Sequence, residues 1–219
     1  MNGLTDKMRF VTASVEHNDV TGRPTAPTTP RRRLAVDDRR NELLRAALEL
    51  IGTRPWDEVS MAEIARAASA SKPLLYHYFP TKSDLYLAAV RAAAEELRHA
   101  TTPASGLAPR VALEQALAAH VDWVDANSAP YRAVLQGGLS SDPDVQAIIE
   151  ESRADVVARL GHGFGLRRVT PAQRTVLRGW VGFLEGACLD WLENRDVPKR
   201  RLVRILVASV PAMAPVARA

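Results

Sequence analysis

The chain has 219 residues, 47% hydrophobic and 25% charged, with a formal net charge of +4, a balance that excludes a low-complexity, collagen-like or bilayer-spanning chain. A chain of this length can bury about 70% of its unfolded surface without disulfides or structural metal, and the lone Cys188 allows neither an internal bridge nor a cysteine cluster. The longest strongly apolar stretch, Ile205 to Ala217, carries Ser209, Pro211 and Pro215 and falls short of the ~20 residues a membrane helix needs; with no apolar signal segment in the first 30 residues either, a cytoplasmic protein with no membrane partner is expected.

Residues 1–35 lack any helical or strand period, and Thr21 to Pro30 is too rich in Thr and Pro to bury an apolar face, so a mobile arm is expected there. Charge is uneven: residues 1–82 hold thirteen Lys and Arg against ten Asp and Glu. Arg23, Arg31, Arg32, Arg33, Arg39, Arg40 and Arg45 crowd one short span, which fits either an electrostatic footprint for nucleic acid or a solvated tail. From Asp37 onward the period is helical and strand-like alternation is missing, so the fold is expected to be all-α.

The first helix is expected from Asp37 to Ile51, with Leu43, Ala46, Ala47, Leu50 and Ile51 on one face and Gly52 ending it. Ser60 and Glu63 then form a capping box, flanked by the staple pair Val59 and Ile64, and start a short helix at Met61 that runs to about Ala68. Ser71 caps another short helix with Pro73 in its first turn. Two short helices across a tight turn make a helix-turn-helix, whose second member fits a major groove about 12 Å wide. The segment Ser71 to Phe79 has no acidic residue and offers Lys72, His77 and the hydroxyls of Ser71, Tyr76 and Tyr78, groups suited to phosphates and base edges. Thr81 with Asp84 opens a long helix to about His99.

Leu43 to Ala47, Ser60 to Ala65, and Ala68 to Phe79 followed by Lys82 together resemble the DNA-binding domain of the TetR family of bacterial transcriptional regulators. The resemblance spans about 45 residues and implies a three-helix reading head over 36–82, a helical effector-binding and dimerisation domain over 83–219, a homodimer, a double-stranded operator and a small-molecule inducer, with no cofactor. It implies that Lys72, Pro73, Leu74 and His77 lie near base edges and that Ser60, Ser71, Tyr76, Tyr78 and Lys82 contact phosphates, with Leu75 and Phe79 turned into the head's core; Tyr76 also fits a partly buried aromatic. Where the family usually has Gly in the turn this chain has Ser69, which must then adopt a left-handed conformation. Arg31, Arg32 and Arg33 are candidates for general phosphate attraction or for a narrow minor groove.

Helices are expected at roughly 108–126, 130–138, 143–161, 170–194 and 198–214, with Thr170, Pro171 and Gln173 capping the fourth of these. His120, Trp123, Tyr131, Trp180 and Phe183 mix aromatic and polar atoms on apolar faces, as a ligand cavity does, although each also reads as packing and His120 as a satisfied core histidine. The helix from 170 has two apolar faces, so Leu184, Cys188, Trp191, Leu202, Ile205 and Leu206 are expected at a subunit interface, with a buried central helix as the alternative. Gly161 to Gly165 faintly resembles a phosphate loop but follows a helix and lacks a preceding strand, so a helix C-cap is expected. Nucleophile elbows, zinc-ligand pairs and Lys-containing P-loops are missing, and neither a metal nor an enzyme is expected.

Overall fold

The computed structural model describes the backbone of residues 30–136 and 142–218 and, within these, the side chains of residues 38–136 and 142–211. The described residues form nine α-helices and no strand: α1 (Pro30–Ile51), α2 (Met61–Ala67), α3 (Lys72–Tyr78), α4 (Lys82–Ala100), α5 (Pro109–Ala126), α6 (Ser128–Gln136), α7 (Pro143–Gly163), α8 (Pro171–Asn194) and α9 (Lys199–Arg218). The expected all-α class is what the chain adopts. Three of the expected caps close as reciprocal hydrogen bonds. The Glu63 amide donates to Ser60 Oγ at 3.2 Å while the Ser60 amide donates to Glu63 Oε2 at 2.9 Å; Thr81 with Asp84 and Thr170 with Gln173 do the same. Each box satisfies amides that a helix start otherwise leaves bare.

Two elements differ from the sequence-based expectation. The first helix begins at Pro30, seven residues before Asp37, because proline at a first helical position loses an amide that has no partner there anyway and is preset to helical φ. Arg31, Arg32 and Arg33 therefore belong to the first turns of α1 rather than to an arm, and the rest of the expected arm lies outside the described residues, as do the last two residues of the helix expected at 130–138. A 3-10 turn, Trp56–Glu58, which no local signal announced, precedes α2.

The apolar residues gather in two clusters. One joins α1, α2, α3 and α4 through Leu43, Ile64, Leu75, Phe79 and Leu85 and reaches α7 at Val145, Ile148 and Ile149; each fully buried Leu in it contributes roughly 1.5–3 kcal/mol. The other joins α5, α6, α7, α8 and α9 through Val121, Tyr131, Val157, Leu177, Cys188 and Leu206. The Cys188 thiol is fully buried, and its pKa is pushed up to about 12, by burial first and by Glu185 second. At the end of α1 a Cβ on Gly52 would lie 2.5 Å from Ala129 Cβ and 2.9 Å from Pro130 N, so only glycine lets α1 press onto the first turn of α6. The stretch Gly161 to Gly165 closes α7: Gly165 has φ +74°, the Leu166 amide donates to Gly161 O and the Gly165 amide to His162 O, both at 2.9 Å. This is the expected C-cap, in which the left-handed residue turns two orphan carbonyls onto the following amides.

Candidate nucleic-acid interface and the cavity beneath it

The turn between α2 and α3 has the same closing geometry without glycine. Ser69 has φ +50°, the Ser69 amide donates to Arg66 O at 3.0 Å and the Ala70 amide to Ala65 O at 2.8 Å. The left-handed serine expected from the sequence is present, and the two bonds offset part of its strain. Directly after it, Ser71 Oγ accepts the Leu74 amide at 3.3 Å and starts α3.

Two residues fix how α3 is presented. Leu75 is fully buried and Phe79 almost so, four positions apart on one face, and the Arg40 guanidinium lies over the outer side of Phe79 at 5.2 Å. The opposite face is left to solvent: Lys72, Pro73, Tyr76 and His77 are exposed, while Leu74 and Tyr78 are half-buried. Tyr76 is 42% exposed, with the Lys72 ammonium 5.8 Å from its ring, which fits both an accessible contact residue and a partly buried aromatic. Of the side chains carried over to base edges and phosphates from α3, Lys72, Pro73, Tyr76 and His77 are thus accessible, while Leu74 and Tyr78 are half-buried, Tyr78 packing against the head's core.

The flanking candidates are more committed. Ser60 Oγ donates to Glu63 Oε2 at 2.7 Å while accepting the Glu63 amide. The Glu63 carboxyl is in turn held at about 2 by hydrogen bonds from Arg54 and then Ser60. Lys82 Nζ donates to Trp56 O at 2.5 Å and Asp57 O at 3.2 Å and lies 4.8 Å from the Trp56 ring. It therefore ties α4 to the 3-10 turn, with one of its three hydrogens left for another acceptor. The side chains of Arg31, Arg32 and Arg33 lie outside the described ones.

Beneath the head, where the two apolar clusters meet, lies a cavity of about 110 Å³, several times what one water needs. Leu48 of α1 and Val90 of α4 line it from the head side, and Val181 and Leu184 of α8 from the other. Of the five residues proposed for a ligand, His120, Trp123 and Tyr131 line it. Trp180 and Phe183 do not. Trp180 is buried between α8 and α9, donating from Nε1 to Ser209 Oγ at 2.8 Å, while Phe183 is on the outer side of α8 at 44% exposure. The satisfied-histidine alternative also fails: His120 Nε2 is buried with no hydrogen-bond partner, as are Trp123 Nε1 and Tyr131 OH. Burial, and then Arg159, pull the His120 pKa down to about 4, and burial raises that of Tyr131 well above its ordinary value.

The residues assigned to a subunit interface need correction on similar grounds. Leu184, Cys188, Trp191, Leu202 and Leu206 are all buried within this one chain. The face of α8 that holds Leu184, Cys188 and Trp191 is covered by the chain's own helices, with Trp191 Nε1 donating to Val197 O at 2.7 Å, so these five residues are packed within the chain itself. Ile205 alone of the six is exposed, at 43%. Sequence reasoning missed the arginines of the cavity wall, Arg98, Arg153 and Arg159, because a charged residue on an amphipathic helix reads as solvent-facing; Arg153, for one, is held by Glu185 of another helix.

Residues 43–89 match the family model of bacterial regulatory proteins of the tetR family, and residues 109–213 match that of the tetracyclin repressor-like C-terminal domain. The chain is 32% identical to the HTH-type transcriptional activator FasR of Mycolicibacterium smegmatis, over 78% of this chain and 80% of that protein. It is 36% identical to the HTH-type transcriptional regulator BetI of Brucella suis, over 73% of this chain and 83% of that one. A crystal structure of a tetR-family transcriptional regulator from Streptomyces coelicolor superposes with a TM-score of 0.73 at 31% identity, covering 83% of both chains. With a capped, outward-facing α3 on a three-helix head and a separate helical body beneath it, the chain belongs to the TetR family of DNA-binding transcriptional regulators.

Proposed function

We propose that the chain is a ligand-responsive repressor that binds a pseudo-palindromic operator as a homodimer and leaves it when a small molecule occupies the cavity. The observation that carries this reading is the split of α3 into a buried Leu75 and Phe79 edge and an accessible face holding Lys72, Tyr76 and His77. A helix held by two apolar anchors meets a groove as a rigid body, and its short polar side chains reach base edges and phosphates. Lys72→Ala and His77→Ala together are expected to weaken operator binding by about 100-fold, since each good contact is worth roughly 1–3 kcal/mol. Fluorescence anisotropy with genomically selected fragments, repeated across salt concentrations, measures this; wild-type affinity in the double variant would overturn the assignment of α3.

Pairing is supported by the outer face of α8. Gly179, Gly182 and Gly186 are exposed there beside Phe183, and a Cβ on any of the three meets no described atom within 4 Å. Glycine inside a helix costs roughly 0.5–1 kcal/mol, a cost offset where a second helix must come close. On α9, Ile205 is a further exposed large apolar side chain, at 43%. Phe183→Glu with Ile205→Glu is expected to give monomers by sedimentation, with DNA affinity lost because two heads must reach half-sites about 34–36 Å apart; a dimer that survives both changes places the interface elsewhere.

Response to a ligand is supported by the cavity's position, since its walls belong to both clusters and Leu48 and Pro130 line it beside the Gly52 contact. A molecule favouring one spacing of α1, α4 and α6 must weaken DNA affinity by the factor by which DNA weakens its own. FasR is named an activator, so the sign of regulation is tested directly: deletion of the gene raises transcription of the bound promoters if the chain represses and lowers it if the chain activates.

A further inference from the structure

The cavity wall is chemically lopsided. Val90, Leu97, Ile148, Val156, Val181 and Leu184 supply apolar surface, while three of the four buried polar atoms without hydrogen-bond partners cluster around one ring, the fourth being Arg159 Nε. Tyr131 lies edge-on to both His120 and Trp123, at centroid distances of 6.4 and 6.5 Å. A buried polar atom left unpaired costs on the order of 1–3 kcal/mol, and three around one ring form a concentrated demand for a partner. An indole N–H only donates, and a phenol donates readily, so the partner that suits them is an acceptor oxygen.

Charge narrows the chemistry further. Every arginine lining the cavity has a carboxylate within ion-pair distance. Arg153 makes a two-pronged pair with Glu185, from Nε at 2.8 Å and Nη2 at 2.6 Å, and reaches Glu150 at 2.6 Å. Arg98 grips Glu95 with two hydrogen bonds at 2.8 and 2.6 Å. Arg159 Nε lies 3.0 Å from an Asp155 carboxylate oxygen without hydrogen-bonding to it, while Nη1 donates to Thr101 Oγ1 at 3.1 Å. His120 carries no charge near neutral pH. A ligand carboxylate would meet only arginines whose charge a carboxylate already balances, with the Arg159 Nε–H as the one unbonded donor among them, and a ligand cation would meet only Glu185, which Arg153 already holds; either would be stripped of water with little compensation.

We propose that the cavity selects an uncharged, largely apolar molecule bearing a carbonyl-type acceptor oxygen, read by Trp123, Tyr131 and His120. This rests on the reading of the cavity as the ligand site, and the test separates the two. The full-length protein is titrated calorimetrically with chains of six to twelve carbons in four forms: methyl ester, carboxylate, trimethylammonium and plain alkane. At the best length the ester is expected to bind about 10-fold or more tighter than its carboxylate, ammonium and alkane counterparts, the worth of one or two added hydrogen bonds. Tyr131→Phe and Trp123→Phe, each checked for an unchanged unfolding midpoint, are each expected to shrink the ester-to-alkane ratio several-fold. A carboxylate or ammonium that binds tighter than the ester overturns the ligand class while leaving the cavity as the site. A ratio untouched by both substitutions overturns the role of the polar cluster. If no form at any length binds, the reading of the cavity itself falls.

Discussion

The head and the cavity handle polar atoms in opposite ways. On α3 the polar side chains are exposed, cost nothing to leave in water, and are held in place by apolar residues on the other edge of the same helix. In the cavity the polar atoms of His120, Trp123 and Tyr131 are buried and unpaired, surrounded by apolar walls. A surface built in the first way can meet many polyanions and gains discrimination from geometry. A pocket built in the second way pays a standing desolvation penalty, which only a partner of matching chemistry relieves. The two regions therefore call for different experiments.

The contrast is broken most severely by removing what holds α3 rigid. Leu75→Ala truncates a fully buried side chain and should cost about 2–5 kcal/mol, measured by urea unfolding; a cost below about 1 kcal/mol would mean that α3 is not anchored through Leu75. The cavity's counterpart is a pH effect. The His120 pKa is about 4 in the folded chain against an ordinary 6.5, so between these values the unfolded chain binds the extra proton and stability falls as the pH is lowered. The loss begins near pH 6.5, levels off near pH 4, and amounts to about 3 kcal/mol. It should shrink sharply in His120→Gln when denaturant midpoints are compared at pH 7.5 and 4.5; equal losses in both proteins would mean His120 is not buried neutral.

Between the two regions lies the close approach of α1 to α6. Gly52→Ala forces a Cβ against Ala129 and Pro130 and should cost about 1–3 kcal/mol, as overpacking does. It should also alter operator affinity, because the strain falls on the link between head and cavity; unchanged affinity would show that this contact transmits nothing. The smallest effect belongs to the turn. Ser69→Gly relieves a left-handed serine and should stabilise the head by up to about 1 kcal/mol, read as a melting temperature raised by a few degrees with DNA affinity preserved.

What the sequence made legible was local. Ser60 with Glu63, Thr81 with Asp84 and Thr170 with Gln173 are signals three residues long, and the helices they start are where the spacing put them. Ser69 was legible through the family resemblance, which puts a left-handed residue at that turn. Lys82 was not, because its partners, the carbonyls of Trp56 and Asp57, lie about 25 positions away and belong to a turn with no local signature. The two apolar faces of α8 were visible, but periodicity cannot say what covers a face. Covering Leu184, Cys188 and Trp191 from within the chain depends on α5, α7 and α9 arriving in three dimensions, which left only Ile205 of the expected interface outside. Arg153 and Arg159 were hidden in the same way, their burial resting on partners from other helices.

The one thiol in the chain has a practical use that follows from its setting. With Cys188 sealed beneath α8 and its proton held tightly, thiol-reactive dyes reach it only when the lower bundle breathes open. Its labelling rate is therefore a natural stopwatch for that breathing, needing no engineered probe, and any occupant that grips the bundle should slow it.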